Sequence, residues 1–242
     1  MSYCLSIHTD EGLVLCACSA VVQSSEDTQP ATNMQRYIWP GNRLITILSS
    51  GSQKTIDSVF NKIRQDLNTQ LPVSLLTPNN MDEIADYIAT ISVQQQKDLV
   101  KRLGEDEPYD ANFIVAGQIA NKQMATLLIY AQGNFIHEPV TSPFLQIGEI
   151  KYGKPILDRV IKRNTSLNTA AHSALVSVDS TIRGNPHSEM QIELMLYKRD
   201  SFEMSAYLSL DTNNAFFNDT STAWNQGIIN ALESLPKFYW ES

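Results

Sequence analysis

The chain has 242 residues, 43% of them hydrophobic and 18% charged, with a formal net charge of −8 and a pI near 5.0. This composition excludes intrinsic disorder, and an acidic balance without a basic stripe argues against binding to nucleic acid or an anionic membrane, both of which need clustered Lys and Arg. No stretch approaches the roughly 18 apolar residues of a membrane span, and the start lacks the basic-then-apolar layout of a secretory signal, so a cytoplasmic protein is expected. Residues 3–9 and 12–22 read as strands joined by Asp10-Glu11-Gly12, and a polar loop follows from Gln23 to Asn33. A second hairpin spans 35–39 and 43–48 across Pro40-Gly41-Asn42, so four strands open the chain. After Ser49-Ser50-Gly51-Ser52 the period turns helical, with Ile56, Val59, Phe60 and Ile63 on one stripe. A second helix is predicted from Met81 to about Leu103, with Asn80 as its cap.

Strand patterns return at 113–118, 123–130, 134–137 and 144–147, a block expected to supply the second sheet. Helices are predicted over 153–163 and 167–181, strands over 191–198 and 204–209, and a last helix over 222–235 that would bury Trp224, Ile228, Ile229 and Leu232. No linker divides this order, so a single domain over 1–242 is the economical reading. Helices arriving in pairs between hairpin-connected strands predict an α+β fold: two antiparallel sheets face to face with helices outside, a four-layer αββα sandwich. Strands and helices do not alternate singly and no GxGxxG occurs, which disfavours a dinucleotide fold.

The chemistry-bearing residues are few. Cys4, Cys16 and Cys18 lie in apolar strand-like sequence and suit reduced thiols. His8, His137, His172 and His187 show no ligand spacing, so neither a metal nor another cofactor is expected. Met1-Ser2 is more suggestive. Methionine is normally removed before so small a residue, which would leave Ser2 with a hydroxyl and a free α-amine together. An α-amine of pKa roughly 7.7–8.0 can take the hydroxyl proton near neutrality, which makes Ser2 a candidate N-terminal nucleophile.

Longer motifs sharpen this reading. The stretches Tyr130-Ala131-Gln132-Gly133-Asn134-Phe135-Ile136, Phe144-Leu145-Gln146-Ile147-Gly148-Glu149, Lys151-Tyr152-Gly153-Lys154-Pro155-Ile156-Leu157-Asp158-Arg159 and Ala174-Leu175-Val176-Ser177-Val178-Asp179-Ser180-Thr181-Ile182-Arg183 resemble Anbu, the bacterial ancestral β-subunit family of proteasome-type N-terminal-nucleophile hydrolases. The resemblance covers essentially the whole chain. It implies the αββα sandwich of proteasome β subunits, a peptide or protein substrate, and a self-associating ring or helical homo-oligomer.

By this resemblance Ser2 stands where the family usually carries its nucleophilic threonine, and the Gly51 N–H would serve an oxyanion hole. A glycine at a strand-to-helix turn is also what a special backbone angle requires. The family's acidic residue in the second strand is replaced by Cys18 and its lysine by Asn33, and no lysine precedes Lys54. Losing both halves of an ion pair avoids stranding a buried charge but removes help with proton transfer. Asp179 and Ser180 would abut the site or serve the helix end; Glu149, Lys151 and Lys154 would support the site or a subunit contact; His187 would line a cleft or lie in solvent. Two functions stay open: a peptidase with weak or lost activity, and a non-catalytic scaffold, binding or regulatory member of the fold.

Overall fold

The computed structural model describes residues 2–20, 33–69, 73–184 and 190–241. Strands β1 (Ser2–His8) and β2 (Gly12–Ala20) form the expected hairpin, as do β3 (Met34–Trp39) and β4 (Arg43–Gly51). Helices α1 (Gln53–Asn68) and α2 (Met81–Leu103) come next, and then β5 (Ala111–Ile119), β6 (Ala125–Ile129), β7 (Phe135–His137) and β8 (Phe144–Gly148). The chain continues with α3 (Lys154–Val160), α4 (Leu167–Gly184), β9 (Met190–Lys198), β10 (Ala206–Asp211) and α5 (Ala215–Glu233). The polar loop up to Thr32 and His187 lie outside the described residues.

Two antiparallel five-stranded sheets result, ordered β10-β9-β2-β1-β8 and β3-β4-β5-β6-β7. This corrects the expected partition. The opening four strands divide between the sheets, and β8 leaves the block that supplies β5–β7 to pair with β1. The physical reason lies in β1, which is apolar on both faces and therefore belongs inside a sheet rather than at its edge. Tyr3, Leu5 and Ile7 face one apolar layer with α3 and α4, while Cys4 joins Leu13, Leu15, Leu44, Leu48 and Ile114 between the sheets. A third layer packs Ile45, Ile47, Phe113 and Val115 against Ile56, Val59, Phe60, Ile63, Ile84 and Ile88 of α1 and α2. Three apolar layers between four layers of secondary structure make the αββα sandwich.

Local signals explain the helix starts. The Asn80 side chain accepts the Glu83 N–H at 2.9 Å while the Glu83 carboxylate accepts the Asn79 N–H at 2.8 Å, a reciprocal cap for α2. Helix α5 starts seven residues before the expected 222, where Asn214 accepts the N–H groups of Phe216 and Phe217. The burial expected for α5 is not found. Phe217 and Ser221 are buried, but Trp224 is only half-buried and Ile228, Ile229 and Leu232 are exposed, because the second half of the helix runs past the elements that cover its first half. Among the described residues no helix is long and apolar enough to cross a membrane.

Candidate functional site

Ser2 opens β1, and neighbours on both sides hold its backbone. It pairs with Ser19 of β2, and its carbonyl accepts the Glu149 N–H at 3.1 Å just beyond β8. Its hydroxyl oxygen lies 2.7 Å from that of Ser50, which is buried near the end of β4. Both hydroxyls line a cleft of about 490 Å³, together with Asn33, Gly51 and Glu149.

Two glycines let these ends converge. Gly51 has φ +123°, and a Cβ there would come within 2.9 Å of the Ala111 Cα and closer still to the Asp110 carbonyl oxygen. Gly148 has φ +84°, and a Cβ there would be driven into the Ser2 carbonyl and within 3.0 Å of the Ser50 Oγ. Neither position accepts a side chain without moving backbone. The turn after Gly51 is closed by the Ser52 N–H, which donates to the Asp110 carbonyl at 2.8 Å, and by the Thr55 hydroxyl, which donates to the Tyr109 carbonyl at 2.7 Å.

Ser2, Gly51 and Asn33 thus meet in one cleft, and Cys18 does not join them. Ser2 is opposite Ser19 and Tyr3 is opposite Cys18, so pleat alternation sends Cys18 to the face that packs on α4. Burial pushes its thiol up to about 12, so it is neutral near physiological pH. Asn33 is buried, and its carbonyl accepts the Ser49 N–H at 3.0 Å. Among the described lining residues Glu149 is the only charged one.

The layer behind Ser2 is polar but sealed. The Tyr3 hydroxyl lies 2.6 Å from the Ser177 Oγ of α4 and accepts a hydrogen bond from the Gln146 amide. Burial raises the Tyr3 pKa well above its ordinary value. A Cβ at Gly153 would collide with both the Ser177 and Tyr3 hydroxyls, so the Lys151-Tyr152-Gly153-Lys154 run packs directly on this support. Asp179 has another engagement. Its carboxylate accepts the Ser221 hydroxyl at 2.7 Å and the Arg183 Nε at 3.0 Å, which ties α4 to α5, and neither it nor half-buried Ser180 lines the cleft. In the neighbouring run, Glu149 lies 3.7 Å from Lys151, and Lys154 pairs with Asp158 at 2.7 Å.

Sequence reasoning gave no role to Ser50, Ser177 or Gly148. The signals were present in the Ser49-Ser50-Gly51-Ser52 turn and the Gln146-Ile147-Gly148-Glu149 run, but only strand pairing brings them to Ser2. A larger cavity of about 770 Å³ lies at the other end of β1, lined in part by His8, Glu138 and Arg163. There Glu138 accepts His8 Nδ1–H at 2.7 Å, Arg163 at 2.5 Å and the Thr126 hydroxyl at 3.1 Å. Burial alone would raise the Glu138 pKa, yet His8 and Arg163 outweigh it and bring the carboxyl down to about 2. Among the described residues no group of three His, Cys, Asp or Glu could hold a metal ion.

No family model matches the chain, and no curated protein does. Solved structures do. A Gly-1 mutant of Anbu from Hyphomicrobium sp. strain MC1 superposes with a TM-score of 0.88 at 29% identity, covering 98% of this chain and 99% of that one. Anbu from Yersinia bercovieri gives 0.84 at 27% identity over 98% and 99%. The Anbu complex from Pseudomonas aeruginosa, solved as a helical assembly, gives 0.85 at 32% identity over 98% of each chain. Agreement across nearly the full length, at the level of both sequence and three-dimensional structure, establishes that the chain belongs to the Anbu, or ancestral β-subunit, family of proteasome-like N-terminal-nucleophile hydrolases.

Proposed function

We propose that this protein is a slow N-terminal-nucleophile amide hydrolase acting on peptides or proteins. The observation that carries the reading is the Ser2 hydroxyl, open to a cleft and hydrogen-bonded to Ser50. Removal of Met1 would free the Ser2 α-amine. That amine takes the hydroxyl proton as Oγ attacks the amide carbonyl, and the Gly51 N–H faces the developing oxyanion. The carbon–nitrogen bond then breaks, the amine leaves with the proton, and water hydrolyses the resulting ester of Ser2. With no cation among the described residues that line the cleft, proton transfer falls to the α-amine alone, and further general acid–base help, on the order of 10²–10⁴ in rate, is missing.

A second reading, a non-catalytic scaffold, binding or regulatory protein of the same fold, is favoured by one feature: no cation lines the cleft among the described residues. Intact mass before and after incubation with a peptide epoxyketone decides between them, because this reagent needs both the hydroxyl and the adjacent free amine. An adduct on Ser2 that is lost in Ser2→Ala supports the hydrolase. Processed protein that never labels supports the scaffold, and retained Met1 ends the Ser2 mechanism.

We further propose that the protein works as a homo-oligomer, on the strength of the helical assembly formed by the P. aeruginosa relative. A cytoplasmic setting is supported by three free, buried thiols.

A further inference from the structure

We infer that the second half of α5 and the segment after it form a two-fold interface with the same surface of a second copy of this chain. The inference rests on the self-association proposed above and specifies where it occurs.

The observation begins with helical phase. Phe217 and Ser221, the buried residues of α5, lie on one face, and steps of three or four residues carry that face through Trp224, Ile228, Leu232 and Leu235. The stripe that docks the first half therefore continues in register after the protein beneath it ends. Every residue from Gln226 to Trp240 is exposed. An apolar stripe in line with a buried one, on a helix segment too short to be stable alone in water, is a docking face.

Its extent matches a subunit contact. Ile228, Ile229, Leu232, Leu235, Phe238, Tyr239 and Trp240 are each 41–87% exposed. At roughly 150–250 Å² for each aromatic side chain and somewhat less for each aliphatic one, the stripe and the aromatic segment together present on the order of 800 Å², close to one partner's share of a standard interface. The Phe238 and Trp240 rings stack at 4.4 Å, with Tyr239 edge-on to Trp240 at 4.8 Å, which gives the patch the rigid aromatic anchors that interfaces favour.

Composition points to a second copy rather than a charged partner. Residues 220–232 contain no charged side chain in a chain of net charge −8, and the rest of the surface to Trp240 adds one acid and one base, Glu233 and Lys237, so two copies can bring this face together with little opposition of like charges. A two-fold axis sets the stripe against itself, the symmetry that a self-complementary apolar row suits. Gly227 fits the same arrangement. A Cβ there would meet nothing within this chain, although glycine inside a helix costs about 1 kcal/mol relative to alanine. Next to the stripe, it gives a partner helix room to approach.

The test uses the full chain. Sedimentation velocity across a range of concentrations compares the wild type with Ile228→Asp/Leu232→Asp, and far-ultraviolet circular dichroism checks the fold. Independently, Ile228→Cys and Leu232→Cys each place one exposed thiol in a protein whose own cysteines are all buried, with Gln226→Cys on the opposite side of the helix as control. The expected result is an oligomer that falls to a smaller species in the double variant, and a disulfide-linked dimer on mild oxidation from Ile228→Cys or Leu232→Cys but not from Gln226→Cys. A wild-type oligomer with an unchanged double variant and no selective cross-link overturns the assignment of this surface while leaving self-association intact. A wild type that is monomeric at all concentrations overturns both.

Discussion

The hydroxyl oxygens of Ser2 and Ser50 share a 2.7 Å hydrogen bond although 48 residues separate them in the chain. Ser50 sits on the other sheet, so this contact crosses the sandwich and fixes one side of the Ser2 side chain. Replacing Ser50 with alanine is expected to slow epoxyketone addition to Ser2 by roughly ten- to a hundredfold, the scale of misorienting a reacting group. Time-resolved intact mass gives the rate, and an unchanged rate would show that Ser50 does not orient Ser2.

Gly148→Ala should be among the most damaging small substitutions in the chain. The backbone at φ +84° is strained for any other residue, and the new methyl would press on the Ser2 carbonyl. A loss of about 3 kcal/mol or more is expected from equilibrium urea unfolding. Ala20→Gly, on the rim of the same cleft, should change stability far less.

The Glu138 carboxylate sets an acid limb. Its folded pKa, about 2, lies below the ordinary 4.5, so the stability it contributes is fully present above about pH 4.5 and is lost as pH falls toward about 2. The shift corresponds to at most roughly 3 kcal/mol, reduced to about 2 because the Arg163 side chain is partly exposed to solvent. Urea midpoints measured from pH 6 to pH 2 should fall less steeply for Glu138→Gln than for the wild type.

Asp179 is expected to matter for stability rather than for reaction. Asp179→Ala removes acceptors for Ser221 and Arg183 and should cost about 2 kcal/mol. Labelling of Ser2 should proceed at the wild-type rate. A large drop in labelling with unchanged unfolding would restore Asp179 to the site.

All three thiols should be silent in the folded protein. Burial raises the pKa of Cys4, Cys16 and Cys18, the last to about 12. An aromatic disulfide reagent should find no rapidly reacting thiol in buffer and three in denaturant. Fast modification of Cys18 in the native state would show that its thiol is not sealed in the layer against α4.

Signals that act over a few residues were readable in the sequence. The Asp10-Glu11-Gly12 and Pro40-Gly41-Asn42 turns, the Asn80 cap and the apolar stripe of α1 all act locally, and each gave its element. Sheet membership was not readable in this way. Phe144-Leu145-Gln146-Ile147 looks like any buried strand, and only the unfilled edge of β1 determines where it pairs. The site divides along the same line. Ser2 stood out by residue type and position and Gly51 through the family resemblance, whereas Ser50 and Ser177 matter only through contacts that reach 48 and 174 residues along the chain. The exposed half of α5 misled for a related reason: periodicity shows that a face is apolar, not which molecule covers it.

Because Ser2 belongs to a strand flanked by β2 and β8, its location is inherited from the architecture itself. Shape and turnover are thereby uncoupled. Mutation can erase or restore reactive groups around the cleft while every strand stays in register, so a lineage can drift into catalytic silence and back without ever losing its ability to fold. A cleft that keeps a serine at the head of β1 and presents Glu149 as its one charged side chain among the described lining residues is what such drift would leave.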